Sequence, residues 1–280
     1  MNRKHFQFDC KTDDDVKIFA QGWSPSEHPD AVFCLIHGLG EHSDRYSHFA
    51  EHLNDNNIAL LAFDLRGHGR SGGARGHARD FKQLVDDVDC FLDHSRELFP
   101  DRPHFLYGHS LGGTLVLHHA MKGCENSNLC GVIATAPMLR PAFQPPKWKV
   151  TLARLVQAIS PKLSLSNEVN REHLSRNPQV IIDCMNDPLV HDRISAKLGV
   201  CFLDAGLEAL EVTTEFPFDI LLMHGTEDQI TCHHSSVEFA EKTGEFCTLK
   251  LWSDLYHELH NEPEKDEIFD FIVAWAKERI

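Results

Sequence analysis

The chain has 280 residues and a net charge of −15, and 42% of its residues are hydrophobic. This length and composition predict one large α/β domain with an insertion, or two small domains. The acidic balance argues against a nucleic-acid partner, because no excess of Lys and Arg is available to neutralise phosphates.

The N-terminal stretch has no apolar signal core, and no apolar run in the chain reaches the length of a membrane span. The nine cysteines include no C-x-x-C pair. Such a pattern is typical of free thiols in a reducing compartment. We therefore expect a cytoplasmic protein without a membrane-spanning helix.

Short apolar runs recur along the chain, and several are apolar throughout, as expected for strands covered on both faces. Between them, the apolar positions of residues 81–99 and of the tail 267–280 follow a 3.6-residue period. Strands that alternate with helices predict a mostly parallel central sheet flanked by helices. The predicted strands span residues 16–23, 31–38, 58–64, 103–110, 129–137, 218–225 and 247–254.

This alternation stops between about residues 140 and 211. The stretch begins with Pro141, Pro145 and Pro146, looks helical and contains no convincing strand. We interpret it as an inserted helical cap. The chain is then divided into a core of residues 1–139 and 212–280 and a cap of residues 140–211.

The sequence LYGHSLGGTL places Ser110 between Gly108 and Gly112, where a predicted strand ends and a predicted helix begins. A side chain at either flanking position would clash with the adjoining strand or helix. G-x-S-x-G in this position is typical of a nucleophile elbow, which exposes the serine Oγ at the end of the sheet. The alternative is a glycine-rich turn with an incidental serine.

A serine hydroxyl is a weak nucleophile unless a base and an orienting acid activate it. In this architecture the acid and then the histidine follow late strands. Asp228 follows the predicted strand 218–225, and His257 follows the last predicted strand. Glu227 is the alternative acid and His260 the alternative base.

The reaction also needs two hydrogen-bond donors for the oxyanion. The backbone N–H of Leu111, directly after the serine, is the first candidate. The second is the N–H of Leu39 in HGLGEHS, which follows an early strand. The alternative for this loop is a simple glycine turn into a helix that begins near Ser43.

Six segments, HGLGEHSDRY, FDLRGHGRSGG, YGHSLGG, NDPLVHDR, HGTEDQI and YHELHNEP, occur in an order and spacing that resembles the α/β-hydrolases of the monoacylglycerol lipase and lysophospholipase group. The resemblance covers nearly the whole chain, including the cap. It implies an α/β-hydrolase fold and a serine hydrolase that cleaves monoacylglycerols or similar single-chain lipid esters without a metal or other cofactor.

The same resemblance carries over Ser110, Asp228 and His257 as the catalytic triad, with the amides of Leu39 and Leu111 as the oxyanion hole. The sequence departs from the family at two places. Leu111 stands where the family often has Met, and His260 interrupts a run that is often apolar. Neither departure touches the triad, but both leave the choice of substrate open.

Two other motifs suggest cofactors or metals. GHGRSG at 67–72 matches G-x-G-x-x-G, but helical periodicity resumes near Asp80, so we interpret it as a loop beside the active site rather than a dinucleotide site. His42, His48 and His52, and HELH at 257–260, lack an H-E-x-x-H pattern and an obvious carboxylate partner. We interpret them as surface or pocket histidines and predict no metal site.

Several functions remain compatible with these residues. A serine nucleophile excludes the relatives that use aspartate, such as epoxide hydrolases and haloalkane dehalogenases. Lysophospholipases, broad-specificity carboxylesterases, peptidases and thioesterases share the triad. A non-catalytic small-molecule binding protein on the same fold is the other class, although the intact triad favours an enzyme. Acyl-chain length, glycerol position and oligomeric state stay open.

Residues 141–166 contain no Asp or Glu but four cations, Lys147, Lys149, Arg154 and Lys162. An apolar stripe with a Trp and flanking basic residues is typical of a helix that lies in a membrane interface. We therefore predict peripheral membrane or micelle contact through the cap, the alternative being a stripe that packs on the core. The stripe consists of Trp148, Leu152, Leu155, Val156 and Ile159.

Overall fold

The computed structural model describes residues 4–122, 129–211 and 216–280. Eight strands form the central sheet, in the order β1-β2-β4-β3-β5-β6-β9-β10, and β7 and β8 form a separate two-stranded ribbon. In the central sheet β2 is antiparallel to β1 and β4, and the remaining pairs are parallel. The strands are β1 Lys4–Lys11, β2 Lys17–Ser24, β3 Ala31–Ile36, β4 Ile58–Phe63, β5 His104–His109, β6 Leu129–Thr135, β7 Ser164–Ser166, β8 Arg193–Ser195, β9 Asp219–Gly225 and β10 Cys247–Trp252.

The helices lie between and after these strands. No helix in the described ranges is long and apolar enough to cross a membrane. The helices are α1 Ser47–Asp55, α2 Phe81–Leu98, α3 Leu111–Met121, α4 Lys147–Ile159, α5 Pro178–Asn186, α6 Ala196–Leu210, α7 His233–Thr243 and α8 Lys265–Lys277, with 3₁₀ turns at Ser43–Tyr46, Arg171–His173, Gly244–Phe246 and Leu259–Asn261.

The core consists of two apolar layers, one on each face of the sheet. Along β3 the side chains alternate, so that Val32, Cys34 and Ile36 join the layer with α2, α3 and α6, whereas Phe33 and Leu35 join the layer with α1 and α8. Every residue of β3, β4 and β5 is buried. Cover on both faces explains why these strands read as continuous apolar runs.

The predicted fold class is confirmed, and each of the seven predicted strands is present in the central sheet. The sequence analysis did not identify β1. This edge strand alternates half-buried and exposed residues and pairs on one side, so it has no continuous apolar run. The α2 helix begins at the first residue of the 3.6-residue apolar period, directly after Asp80. The Asp80 side chain accepts a hydrogen bond from the Gln83 N–H.

The expectation that residues 140–211 contain no strand is wrong. Leu165 and Ile194 lie at the centre of the antiparallel ribbon formed by β7 and β8. Each strand has three residues, which is too short for a period to be recognised in the sequence. The ribbon is therefore a product of long-range pairing rather than of local sequence.

Candidate active site

Ser110 lies in a strained turn between β5 and α3. Its φ of 53° and ψ of −111° are outside the regions that a serine ordinarily adopts. A Cβ on Gly108 would lie 2.2 Å from the Gly112 carbonyl oxygen, and one on Gly112 would lie 2.1 Å from the Ile36 carbonyl oxygen. The predicted clash at both flanking positions is confirmed. The Ser110 N–H donates to Thr135 O at 2.9 Å, which ties the turn to β6.

His257 and Asp228 form a buried pair beside this turn. The Nδ1 atom of His257 lies 2.7 Å from Oδ2 of Asp228. The other carboxylate oxygen accepts the backbone N–H groups of Ile230 and Thr231, at 2.7 and 3.0 Å. Glu227 is exposed, so it is Asp228 and not the alternative acid that contacts the histidine.

The charges of this pair shift both pKa values. Burial acts to raise the pKa of Asp228, but the charge of His257 and hydrogen bonds from His257 and His224 hold it well below its ordinary value. Burial acts to lower the pKa of His257, but the charge and hydrogen bond of Asp228 raise it above its ordinary value. The pair therefore favours an ionised carboxylate and stabilises an imidazolium beside it.

The alternative base, His260, occupies a different position. Its ring stacks on Tyr46 with centroids 4.4 Å apart and lies 4.8 Å from the ring of His109. Within the described ranges neither of its ring nitrogens has a hydrogen-bond partner. Burial and the neighbouring His109 lower its pKa well below the ordinary value. Without an acid to orient it, His260 lacks what a general base requires.

Leu39 and Leu111, the predicted oxyanion residues, line the same cavity as Ser110 and His257. Leu111 is the first residue of α3, so its N–H has no acceptor within the helix and lies at the positive end of the helix dipole. A Cβ on Gly38 would lie 3.2 Å from the Ser110 Cβ, which shows how closely the Leu39 loop approaches the serine. The oxyanion role of both amides stays a prediction.

Three charged side chains that the sequence analysis did not single out also line the cavity. Arg45 Nη1 lies 2.8 Å from Glu41 Oε2 and 2.7 Å from Glu258 Oε1, and Nη2 lies 2.8 Å from Glu258 Oε2. Glu41 and Glu258 also lie within 4.8 Å of a ring nitrogen of His260, a grouping that could hold a cation. Because both carboxylates already bind the guanidinium, Arg45 supplies the positive charge there.

His42, which precedes α1, and His48 and His52 within it correct one expectation, because carboxylates from distant segments pair with two of these three histidines. His42 Nε2 lies 2.9 Å from Asp187 Oδ2, and His52 Nε2 lies 3.1 Å from Asp270 Oδ1. His42 is buried, so it is not a surface histidine. His48 Nε2 instead lies 2.7 Å from the His260 carbonyl oxygen. Each pair joins two parts of the chain that are far apart in sequence.

The 67–72 loop opens no helix, because α2 begins nine residues after its last glycine. Gly67 and Gly69 have φ values of 72° and 45°, as tight turns require. The Gly67 carbonyl lies 3.1 Å from Nε2 of His191, a residue that lines the cavity. This arrangement agrees with a loop beside the site and not with a dinucleotide-binding turn.

The cavity has a volume of about 590 Å³ and is formed jointly by the strand ends and by residues 140–211. This volume is within the range of small-molecule sites. The polar end contains the Arg45 group and His257. The apolar side chains of the remaining wall include those of Leu39, Met138, Val190, Ile194, Phe202 and Leu203.

With this geometry in place, comparisons with known proteins become informative. The model of a family described as "Serine aminopeptidase, S33" matches residues 27–264. A putative monoglyceride lipase of Schizosaccharomyces pombe is 34% identical, over 93% of this chain and 71% of its own. An uncharacterized abhydrolase domain-containing protein of Dictyostelium discoideum is 35% identical over 96% of this chain, which spans 28% of that relative's length.

The crystal structure of Paleococcus ferrophilus monoacylglycerol lipase is 32% identical, with a TM-score of 0.83 and 100% coverage of both chains. The chain therefore belongs to the "Serine aminopeptidase, S33" family and has the α/β-hydrolase fold. The fold and the family are those of serine hydrolases.

Proposed function

We propose that this protein is a monoacylglycerol lipase, a serine hydrolase that cleaves the ester bond of monoacylglycerols and releases a fatty acid and glycerol. The observation that carries the proposal is the His257–Asp228 pair, at 2.7 Å, in the cavity that the strained Ser110 lines. Two of the relatives compared above bear the name of monoglyceride or monoacylglycerol lipase.

The mechanism follows from this geometry. The Ser110 Oγ attacks the ester carbonyl while Nε2 of His257 takes its proton, and Asp228 holds the Nδ1–H. The oxyanion accepts hydrogen bonds from the N–H groups of Leu39 and Leu111. His257 then protonates the leaving glycerol oxygen, which leaves an acyl-enzyme. A water molecule, deprotonated by the same nitrogen, releases the fatty acid and restores the serine.

The charges in the cavity support a neutral leaving group over the lysophospholipid alternative. At the polar end of the cavity, Arg45 is bound by two carboxylates, Glu41 and Glu258. The pKa of Glu41 is about 2, because Arg45, His109 and His37 outweigh its burial, so this carboxylate is ionised. One guanidinium faces two carboxylates in this group, so it offers a phosphate no unpaired cation, whereas its carboxylate oxygens can accept hydrogen bonds from glycerol hydroxyls.

We further propose that residues 140–211 act as a cap. The segment lies between β6 and β9 and contributes more than half of the residues that line the cavity. Its helix α6 packs into the core through Leu198, Phe202 and Ala209. In contrast, no residue of α4, all of whose positions are described, is fully buried. The cap would therefore be anchored by α6 and present α4 outward.

The exposed face of α4 supports membrane or micelle contact over packing on the core. Trp148, Leu152, Leu155 and Ile159 are 64%, 51%, 60% and 86% exposed, and Val156 is half-buried beside them. The surrounding charge is weaker than the sequence predicts, because distant acids pair with two of the four cations. Apolar insertion, rather than charge, would provide most of the binding energy.

Those two pairs join Lys149 to Glu168 at 2.8 Å and Arg154 to Asp204 at 2.5 Å. For the location of the protein, the eight cysteines in the described part of the chain are all free thiols. Free thiols support a reducing compartment, and we place the protein in the cytoplasm with peripheral contact to lipid.

The nucleophile is tested with Ser110→Ala. The variant should fold normally and lose roughly a million-fold in kcat, as in other dissected triads. Monoacylglycerols, lysophospholipids, aminoacyl amides and a short soluble ester should be assayed in parallel, with monoacylglycerol turned over fastest. A variant that keeps a tenth of the wild-type rate contradicts the proposal. Wild-type protein that resists a fluorophosphonate probe and turns over no ester would instead be a binding protein.

Membrane contact is tested by co-sedimentation with phosphatidylcholine vesicles. The double variant Trp148→Asp/Leu152→Asp should lose vesicle binding and activity on dispersed monoacylglycerol, but keep activity on a short soluble ester. A matched control is Leu98→Asp/Ile280→Asp. It changes two exposed apolar residues that lie outside residues 140–211 and are 44% and 51% exposed. Equal vesicle binding by wild type and the α4 variant rejects the contact.

A further inference from the structure

A second histidine contacts the catalytic carboxylate. His224 is the penultimate residue of β9 and is fully buried. Its Nε2 lies 3.0 Å from Oδ2 of Asp228, the oxygen that also faces Nδ1 of His257. The mechanism above does not use this residue.

The hydrogen-bond partners of His224 fix its tautomer. The pKa of Asp228 is held low, so its carboxylate accepts hydrogen bonds and does not donate them. The hydrogen between the two residues must therefore reside on Nε2 of His224. The opposite ring nitrogen, Nδ1, lies 2.8 Å from Oγ of Ser236 on α7, and in the neutral ring it accepts the hydroxyl hydrogen. Both edges of the ring are thus held.

We propose that His224 is a positioning residue for the hydrolysis, and that its Nε2–H both holds Oδ2 of Asp228 against His257 and limits the proton affinity of His257. The proposal rests on the proposed function, since it assigns a role at the same site. His224 is not a member of the proposed triad of Ser110, His257 and Asp228.

Geometry explains the holding role. The Oδ1 atom of Asp228 is fixed by two backbone N–H groups of the following turn. The Oδ2 atom faces Nε2 of His224 and Nδ1 of His257 and accepts the Thr231 hydroxyl at 2.7 Å. A carboxylate held at both oxygens cannot rotate away from His257. Without His224, one of the three donors on the reactive side is lost.

Charge explains the effect on proton affinity. A donor on Oδ2 draws negative charge away from His257, and so reduces the stabilisation of its imidazolium. Removing that donor leaves Oδ2 more negative and raises the pKa of His257. The acidic limb of the pH–rate profile then moves to higher pH. The loss of a residue that only supports the fold would not cause this shift.

Two other titratable groups near His257, His109 and Glu41, each keep one protonation state across the assay range. Its ring lies 4.7 Å from that of His109, whose pKa burial and His257 lower to about 4. The carboxylates of Glu41 and Glu258 also act on His257 and raise its pKa. His109 is therefore neutral and Glu41 ionised from pH 5 to 9.

On the side of His224, a further titratable group is His233, with ring centroids 6.3 Å apart. The pKa of His233 is lowered by partial burial and by the neighbouring histidines. A His233→Asn control removes this titration from the profile without touching Asp228. Any shift that persists in this background belongs to His224.

The test compares the pH dependence of kcat/KM for three variants. The substrate is a short soluble ester, because its hydrolysis does not depend on membrane contact. His224→Leu removes the donor and should raise the midpoint of the acidic limb by about 0.5 to 1 pH unit. It should also lower kcat about 10- to 100-fold with little change in KM. His224→Gln keeps an N–H donor of similar reach and should restore the wild-type midpoint and kcat. Ser236→Ala weakens the donor and should shift the limb in the same direction by less.

A core variant provides the structural control. Phe91→Leu alters the fully buried Phe91 of α2, far from β9 and α7, and should lower thermal stability without moving the limb. If His224→Leu lowers stability but keeps the wild-type limb, the proposal is overturned. If His224→Leu does not fold, Ser236→Ala decides: a wild-type limb in that variant rejects the proposal, and an upward shift supports it.

Fluorophosphonate labelling rates should be measured over the same pH range, because they report the basicity of His257 toward Ser110 without turnover. The protein could fail to hydrolyse monoacylglycerol while His224→Leu still shifts the acidic limb of the labelling rate to higher pH. That result would reject the proposed substrate and keep the role of His224. A labelling limb unchanged in both His224→Leu and Ser236→Ala rejects the role of His224 whatever the substrate.

Discussion

Helices α4 and α8 have the same length of thirteen residues and carry apolar side chains at the same helical spacing, yet their environments are opposite. α8 buries its apolar face against the sheet and α1, with Phe269 at 1% exposure. α4 packs on α6 by its other side and leaves Trp148 and Ile159 in contact with solvent.

The difference shows that a helical period identifies an apolar face but not what covers it. α8 is the next α-helix after β10, beyond a loop with one 3₁₀ turn, and its apolar face meets the sheet that this strand completes. α4 follows a proline-rich stretch that leads the chain away from the sheet. The first face stabilises the fold, and the second stays exposed to solvent. Four predictions test this contrast between a buried and an exposed surface.

The largest effect is expected inside the buried framework. Asp228→Asn should lower kcat on the order of ten-thousand-fold, because an amide favours the wrong tautomer of His257. Glu227→Gln, at the exposed neighbouring position, should have little effect. Steady-state kinetics on a soluble ester measure both. If Glu227→Gln proves the more damaging change, the acid is misassigned and burial is a poor guide to the chemistry.

The next prediction compares the two helices directly. Phe269→Ala in α8 should cost about 3–5 kcal/mol of unfolding free energy, since it leaves a cavity in a closed layer. Leu152→Ala in α4 should cost less than about 0.5 kcal/mol, because the side chain is already half in water. Urea unfolding followed by circular dichroism measures both. Equal losses would mean that α4 is as well covered as α8.

The pH dependence separates the site from the cap. His257 must be neutral to accept the serine proton, and Asp228 raises its pKa. The value of kcat/KM should therefore rise with pH, about tenfold per unit below a midpoint above the ordinary value of roughly 6.5. Trp148→Asp/Leu152→Asp should show the same profile on a soluble ester. A rate that is flat from pH 5 to 8 excludes a histidine base.

The smallest effect concerns a buried polar group behind the site. His260→Leu should stabilise the fold by roughly 1–2 kcal/mol, because it removes two buried nitrogens that have no hydrogen-bond partner among the residues that the structure describes. The pKa of His260 is lowered by burial, so below about pH 6.5 the unfolded chain binds a proton that the folded chain does not. The gain in Tm by calorimetry should therefore be greater at pH 5 than at pH 7.5. A lower Tm at both pH values contradicts this account.

The sequence by itself determined the architecture and the candidate nucleophile. Apolar runs identified the central strands because those strands are covered on both faces. Gly108 and Gly112 identified the turn at Ser110, because a clash between a Cβ and the neighbouring backbone is a local property. Asp228 and His257 were found by chain order, since parallel strands bring their carboxyl ends to one edge.

Tertiary structure decided everything that depends on partners distant in sequence. It selected Asp228 over Glu227 and His257 over His260 by placing one acid against one imidazole. It paired His42 with Asp187 and surrounded Arg45 with carboxylates. It also placed His224 against the carboxylate of Asp228 and left α4 uncovered. Local sequence could not decide these, because hydrogen bonds and burial are set by which segments meet, and the chain brings those segments together only when the sheet forms.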